Sequence, residues 1–137
     1  MPDKFVPQPT PETAPFWEGC ARGELRVQRC RACARHYFPP RPFCPRCHSG
    51  DVEWVRASGR GTLHTYVINH RPARGFEADG PYAIAIVELD EGPRLMSNIV
   101  GVASTPENLR LDMPVVVTFE ARGDLMIPQF RPAESAR

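Results

Sequence analysis

Cys30-Arg31-Ala32-Cys33-Ala34-Arg35-His36-Tyr37-Phe38-Pro39-Pro40-Arg41-Pro42-Phe43-Cys44-Pro45-Arg46-Cys47 decides the fold of this chain. The stretch holds two C-x-x-C pairs separated by ten residues. Each pair sets two thiolates on one tight knuckle, close enough to grip a single ion. Two facing knuckles complete a tetrahedral sulfur site, the arrangement Zn²⁺ favours in closed structural sites. With Cys30, Cys33, Cys44 and Cys47 as ligands no position stays open for water or substrate, so the pattern points to structure and not to catalysis. Iron in a rubredoxin-like site uses the same ligands, and spacing leaves zinc against iron open. Disulfides fit poorly. Met1 to Pro15 is polar, proline-rich and without the apolar core of a secretory signal, so a reduced, cytoplasmic setting is expected.

The strands flanking the knuckles read as a ribbon. Leu25 to Arg29 alternates and leads into the first knuckle, Tyr37 to Arg41 runs extended between the knuckles, and Val52 to Val55 returns the chain. The ribbon module is expected over residues 25–57. Before it, Met1 to Pro11 is a proline-rich arm. Thr10-Pro11-Glu12-Thr13 starts a helix with Thr10 as cap, or else Thr13 caps it ahead of Ala14-Pro15. The helix carries Phe16, Trp17 and Cys20 and stops near Gly23, completing an N-terminal segment 1–24. Its aromatic rings must pack on the body of the domain or on a partner. Cys20, outside the quartet, is read as a small buried residue and not a nucleophile.

Beyond Ser58-Gly59-Arg60-Gly61 come five β-rich runs, Thr62–Ile68, Tyr82–Leu89, Leu95–Val100, Val115–Ala121 and Leu125–Phe130. Turns fall at Asp90-Glu91-Gly92-Pro93 and Gly123-Asp124, and Pro128 confines the last run to an edge or a bulge. Five strands with a long irregular segment before the fourth fit a small closed barrel, of which the OB-fold is the commonest five-stranded example. The expected fold is therefore mainly β: an N-terminal helix, a zinc ribbon and a five-stranded OB-fold barrel over 58–132, with 133–137 as a frayed tail.

Charge is distributed unevenly although the net formal charge is only +1. From Arg22 to Arg46 there are seven arginines and one acid, Glu24. Four thiolates and one Zn²⁺ subtract two from that excess, leaving about +4. From Gly61 onward ten acids face seven arginines. A basic ribbon beside a mildly acidic barrel suits an anionic ligand or an acidic partner surface, or is simply a solvated arginine-rich face. No apolar run is long enough for a membrane span.

Catalytic machinery is missing. The chain has no Gly-rich phosphate loop, no G-x-S-x-G and no H-E-x-x-H. His36 and His48 belong beside the knuckles, and His64 is a half-buried strand residue. His70 opens a loop with Arg71, Arg74 and Phe76 that runs to Tyr82. That combination of imidazole, arginines and exposed aromatics is suited to contact with a ligand or a subunit. Single-strand nucleic-acid binding, a common task of OB-folds and ribbons, is disfavoured because the barrel lacks a basic stripe.

Three groups of residues together carry a resemblance. They are Phe16-Trp17-Glu18-Gly19; Leu25-x-x-Gln28-Arg29 with the two knuckles and Pro39-Pro40-Arg41; and Gly59-x-Gly61-x-Leu63-x-x-Tyr66-x-x-x-His70-Arg71 followed by Pro81-Tyr82-x-x-Ala85-x-Val87-Glu88-Leu89-x-Glu91-Gly92. From about Pro11 to Pro132 the chain closely resembles a bacterial and archaeal family in which a rubredoxin-like zinc ribbon precedes an OB-fold. That family was long catalogued as a domain of unknown function found beside thiolase-like proteins. The resemblance implies a non-catalytic accessory subunit in a hetero-oligomer, bound to a thiolase-like, sterol-carrier-type enzyme or a hotdog-fold hydratase that acts on acyl-CoA thioesters. It is closest to members that accompany the hydratase and aldolase of steroid side-chain breakdown, which implies retro-aldol cleavage of a CoA thioester. Structural Zn²⁺, and a CoA thioester held at a subunit interface, are the implied cofactors. The residues expected to touch ligand or partner are Phe16, Trp17, Arg41, His70, Arg71, Arg74, Phe76 and Tyr82. An acyl-CoA carrier or hydratase-associated domain, or a single-stranded nucleic-acid-binding protein, are the alternatives. Some family members carry the domain behind a hotdog domain, so the resemblance also allows this sequence to be the C-terminal piece of a longer chain.

Overall fold

The computed structural model describes residues 4–133, so the first three residues of the expected arm and positions 134–137 of the expected tail lie outside the described residues. Thr10 and Thr13 bond to each other, each backbone N–H donating to the other's Oγ1 (2.9 and 3.2 Å), and close a turn. Helix α1 (Ala14–Ala21) begins after that turn, so Thr13 takes the cap position and Pro15 lies in the first turn. The helix stops where expected. Gly23, at φ +75°, donates to the Cys20 carbonyl, and the N–H of Glu24 reaches back to the Gly19 carbonyl (2.8 Å).

The ribbon follows as strands β1 (Arg26–Cys30), β2 (His36–Tyr37) and β3 (Val52–Arg56), with β1 central and both pairings antiparallel. The barrel is built from β4 (Arg60–Asn69), β5 (Tyr82–Leu89), β6 (Arg94–Ile99), β7 (Pro114–Arg122) and β8 (Leu125–Pro132). It closes in the order β4-β5-β6-β8-β7, the last pairing back on β4. Each expected strand is present, and β5 has the expected bounds. Pro128 lies in β8, which pairs with β7 along its length but with β6 at the single parallel bridge Ile99–Phe130. No described helix is long and apolar enough to cross a membrane.

One apolar core joins the parts. Leu63, Ala83, Ala85, Val87, Leu89, Val115 and Phe130 fill the barrel, while Phe16 and Cys20 from α1 and Leu25 and Val27 from the ribbon's root pack on the same cluster. A five-stranded barrel has little interior volume, so β5 turns its alanines inward and leaves Ile84 and Ile86 outside, half-buried. Close approach also explains Gly61. A Cβ there would collide with the Glu88 carbonyl oxygen on the neighbouring strand.

Candidate metal centre and surrounding surfaces

The two knuckles are built alike. The N–H of Cys30 donates to the Arg35 carbonyl and that of Cys44 to the Ser49 carbonyl, both at 2.9 Å. The N–H groups of Ala34 and His48 close the turns onto the Cys30 and Cys44 carbonyls. Ala34 and His48 both sit at φ +66°, a backbone region that favours glycine and that nothing in the sequence announced. Further N–H groups point at sulfur: those of Arg46 and Cys47 at Cys44 Sγ (3.4 and 3.5 Å), and that of Cys33 at Cys30 Sγ (3.4 Å).

The four sulfurs lie within 4.8 Å of one another, with Cys30–Cys47 at 3.5 Å and Cys33–Cys44 at 3.6 Å. A tetrahedral zinc–thiolate site has sulfurs roughly 3.8 Å apart, given Zn–S bonds of about 2.3 Å, so the cage fits the ion. Cys30 and Cys44 are buried, and Cys33 and Cys47 face outward. The electrostatics of the cage call for a cation. The N–H of Cys47, with that of Arg46 adding to it against some desolvation, holds the Cys44 thiol down at about 6. The N–H of Ser49 pulls the same way on Cys47, yet contact with the Cys30 sulfur, desolvation and the other two sulfurs push it up to about 12. Four thiolates cannot share so small a volume without a counter-charge, and a divalent metal supplies one.

Side chains brace the loop between the knuckles. Arg41 is clamped through its backbone: its N–H donates to Gln28 Oε1 (2.6 Å), and its carbonyl accepts from the Tyr37 hydroxyl (2.9 Å). The connector does not run straight as expected but bends at Phe38 and Pro39, whose peptide bond is cis. The ribbon is also less basic than its sequence segment. Arg29 pairs with Glu53 (3.0 Å), Arg31 with Asp51 (2.7 Å) and Glu53 (3.3 Å), and Arg26 with Glu24 (3.1 Å). Two of those acids, Asp51 beside β3 and Glu53 within it, lie outside the window counted in the sequence. Arg22, Arg35, Arg41 and Arg46 remain exposed without an acid partner among the described residues.

Of the aromatic residues expected at a contact, Phe16 needs correction. Phe16 is not on a surface. It is 6% exposed, and its ring meets Trp17 at 4.9 Å and Phe38 at 5.3 Å, so α1 packs on the body of the domain. Trp17 is half-buried against the same core. Phe76 and Tyr82 are likewise half-buried, with ring centroids 5.9 Å apart. The Tyr82 hydroxyl accepts from Asn69 Nδ2 (3.1 Å) and from the Ala73 N–H (3.2 Å), which ties down the loop after β4. Phe76 lies between the Lys4 ammonium (5.3 Å) and the Arg122 guanidinium (5.1 Å). Of the expected contact residues in that loop, His70, Arg71 and Arg74 are exposed. His64 sits at the β4 bulge between Leu63 and Thr65. Cys20 has no exposure, and burial, partly opposed by Arg26, raises its thiol to about 12. The sequence reading missed one surface: Val67 on β4 and Met96 on β6 are 60% and 70% exposed, flanking Ile84 and Ile86 on the outside of the barrel.

Known proteins share this arrangement. The model of the ChsH2 rubredoxin-like zinc ribbon domain matches residues 17–53, and that of the ChsH2 C-terminal OB-fold domain matches residues 54–120. The chain is 44% identical over 121 residues to the "Probable enoyl-CoA hydratase alpha subunit" of Thermomonospora curvata, covering 86% of this chain and 37% of that protein. Identity is 34% over 138 residues to the 3-oxo-4,17-pregnadiene-20-carboxyl-CoA hydratase alpha subunit of Mycobacterium tuberculosis, covering 97% of this chain and 42% of that one. A DUF35 domain-containing scaffold protein of Methanothermobacter thermautotrophicus is 34% identical over 110 residues, covering 79% of this chain and 81% of the relative. The chain thus spans less than half the length of the two hydratase subunits. Among solved structures, a chain of the "Ltp2-ChsH2(DUF35) aldolase" superposes with a TM-score of 0.81 at 40% identity, covering 94% of this chain and all of that one. With both domains matched in order and the metal cage in place, the chain belongs to the ChsH2/DUF35 family of rubredoxin-like zinc ribbons joined to an OB-fold.

Proposed function

We propose that this chain is a non-catalytic accessory subunit that binds a thiolase-like, sterol-carrier-type enzyme and supports retro-aldol cleavage of a steroid side-chain CoA thioester in the cytoplasm. The observation that supports it is the likeness, over that chain's whole length, to a component of a solved aldolase. The residues agree with a supporting role: four thiolates fill a tetrahedral cage, and among the described residues the exposed His70 has no side-chain partner that would orient it as a base. A CoA thioester at the subunit interface would find unpaired guanidinium groups at Arg35, Arg41 and Arg46, whose fork geometry suits diphosphate. His70, Arg71 and Arg74 would serve as partner contacts on the opposite connection.

The test is a tagged pull-down with bound proteins identified, followed by assay of the purified pair for loss of the steroid thioester and appearance of both the ketone and the shorter acyl-CoA released with it. A thiolase-like protein at one-to-one stoichiometry, with activity only in the pair, is the expected result. Recovery of nucleic acid, or of no enzyme, would sink the reading. A second reading, association with a hotdog-fold hydratase, is favoured by the identity to hydratase alpha subunits. It predicts that the recovered partner hydrates an enoyl-CoA instead.

A further inference from the structure

We propose that a cleft on the outside of the barrel binds an uncharged planar heterocycle whose edge sets a hydrogen-bond donor beside an acceptor, as a nucleobase edge does. The cleft encloses about 410 Å³, within the range of roughly 300–1,000 Å³ usual for small-molecule sites. Its floor is made by outward-facing residues of β5, β6, β7 and β8, and its walls by the loops at 76–81 and 100–104.

Gln129 points the reading to a ligand. Its neighbour Phe130 faces the barrel interior and is fully buried, so Gln129 faces the other way, into the cleft. It is only 6% exposed, yet its carboxamide makes no hydrogen bond among the described residues. The amide ends are not themselves sealed from solvent, so they open into the cleft, where water or a ligand can meet them. Asn98 stands on β6 nearby. Its Nδ2 donates to the Ala83 carbonyl (2.8 Å), which leaves Oδ1 as an acceptor without a donor among the described residues. Between them the two amides offer a donor and two acceptors, a set that reads an amide-like edge and does not need charge.

The walls add shape. Tyr82 supplies a ring, Phe76 a second ring already flanked by Lys4 and Arg122, and Val100 and Val102 supply apolar contact. Tyr82 already anchors its loop through two accepted hydrogen bonds, so this wall stands before any ligand arrives.

Charge decides what kind of ring enters. Lys4 at the rim meets Asp79 (3.0 Å) and Glu120 (3.5 Å), and Arg122 donates to Glu120 at 2.8 and 3.0 Å. Both cations therefore face acids. A phosphate placed among the lining residues would meet two carboxylates and cations already paired with acids, whereas a neutral base would meet an aromatic wall and amides. The site lies on the barrel, away from the metal knuckles, and the inference does not depend on the accessory-subunit reading.

The test uses the zinc-loaded, ¹⁵N-labelled full chain titrated with adenosine, AMP and ribose 5-phosphate. Adenosine is expected to shift the side-chain amide signals of Gln129 and Asn98 and the backbone signals of residues 99–104. AMP is expected to bind within about threefold of adenosine, and ribose 5-phosphate not at all, since affinity resides in the base. Gln129→Leu is expected to weaken adenosine about tenfold or more while leaving bound zinc unchanged, because it removes both amide contacts. If that variant does not fold, Gln129→Met makes the same comparison with an unbranched side chain. The proposal is overturned if adenosine shifts nothing up to about 10 mM, the weak end of small-ligand affinity. It is equally overturned if AMP binds about tenfold more tightly than adenosine, or if the Gln129 variant binds like the parent.

Discussion

At the metal end of the ribbon the buried cluster consists of Cys30, Tyr37 and Cys44 with Val52 beside them. The barrel instead encloses Leu63, Val87, Leu89, Val115 and Phe130, each at 2% exposure or less. One region is organised by sulfur ligation and backbone hydrogen bonds, the other by apolar area removed from water. They meet at Leu25 and Val27, which leave the ribbon to join the barrel's cluster. A small module can therefore dispense with a core of its own when a metal closes one end and a neighbour's core closes the other.

The sharpest break of that comparison is metal removal. Structural zinc contributes about 10–16 kcal/mol in isolated finger peptides. Chelation should therefore unfold residues 30–52 while β4 to β8 keep their amide protection in hydrogen exchange. Uniform loss of protection across both regions would show that the barrel cannot stand without the ribbon. Acid should act in the same direction. Cys44 is lowered from 9.0 to about 6, so the stability drawn from its thiolate is complete above pH 9 and lost as pH falls through 6. Bound metal competes with protons for the same sulfurs, so metal retained after dialysis at stepped pH should persist through pH 6 and drop only below it.

On the barrel side, Phe130→Ala should cost about 3–5 kcal/mol, through lost transfer energy and a cavity that neighbouring strands cannot fill. Denaturant unfolding measures it, and zinc content should stay unchanged. Gly61→Ala comes next at about 2 kcal/mol, because the added Cβ would push β4 off the Glu88 carbonyl. Reversal of this order would mean that the strand pairing matters more than the core.

Thiol chemistry sharpens the boundary between regions. With Cys20 raised to about 12, only about one part in ten thousand is thiolate at pH 8. No thiol should react in the metal-loaded protein, four should react after chelation, and the fifth only in denaturant. Five after chelation alone would place α1 with the ribbon's fate. Smallest of all, Glu53→Gln should change stability by less than about 1 kcal/mol, since its pairs with Arg29 and Arg31 are part-exposed. It should still make the ribbon detectably more attractive to polyanions.

How much of this was legible beforehand follows from which forces act locally. The knuckles were, because ligation needs fixed spacing. The strands were, because alternation and turn residues are local, and β5 came out at the expected bounds. What alternation cannot reveal is which parity faces inward. Only barrel closure puts Ala83 and Ala85 inside and Ile84 and Ile86 out. The helix start was ambiguous because both threonines precede a proline, and the reciprocal Thr10–Thr13 bonds settle it. The charge of the ribbon was overstated because Asp51 and Glu53 reach Arg31 and Arg29 only through the β1–β3 register. Phe16 looked like a contact residue because a short aromatic helix does not disclose what covers it. The cleft at Gln129 was invisible, since its lining comes from four strands and two loops far apart in sequence.

Four of the five seams of the barrel are antiparallel ladders, while β6 and β8 meet at one bridge, helped by the Val100 N–H on the Phe130 carbonyl (2.8 Å) and the Ser97 hydroxyl on the Pro128 carbonyl (3.0 Å). Under tension a cylinder tears along its weakest join. A force applied between the C-terminus of β8 and β6 would load those few bonds almost alone, whereas the other seams share load over three to eight paired residues. The barrel is in that respect a sheet rolled up and fastened at a clasp, and the clasp lies beside the cleft.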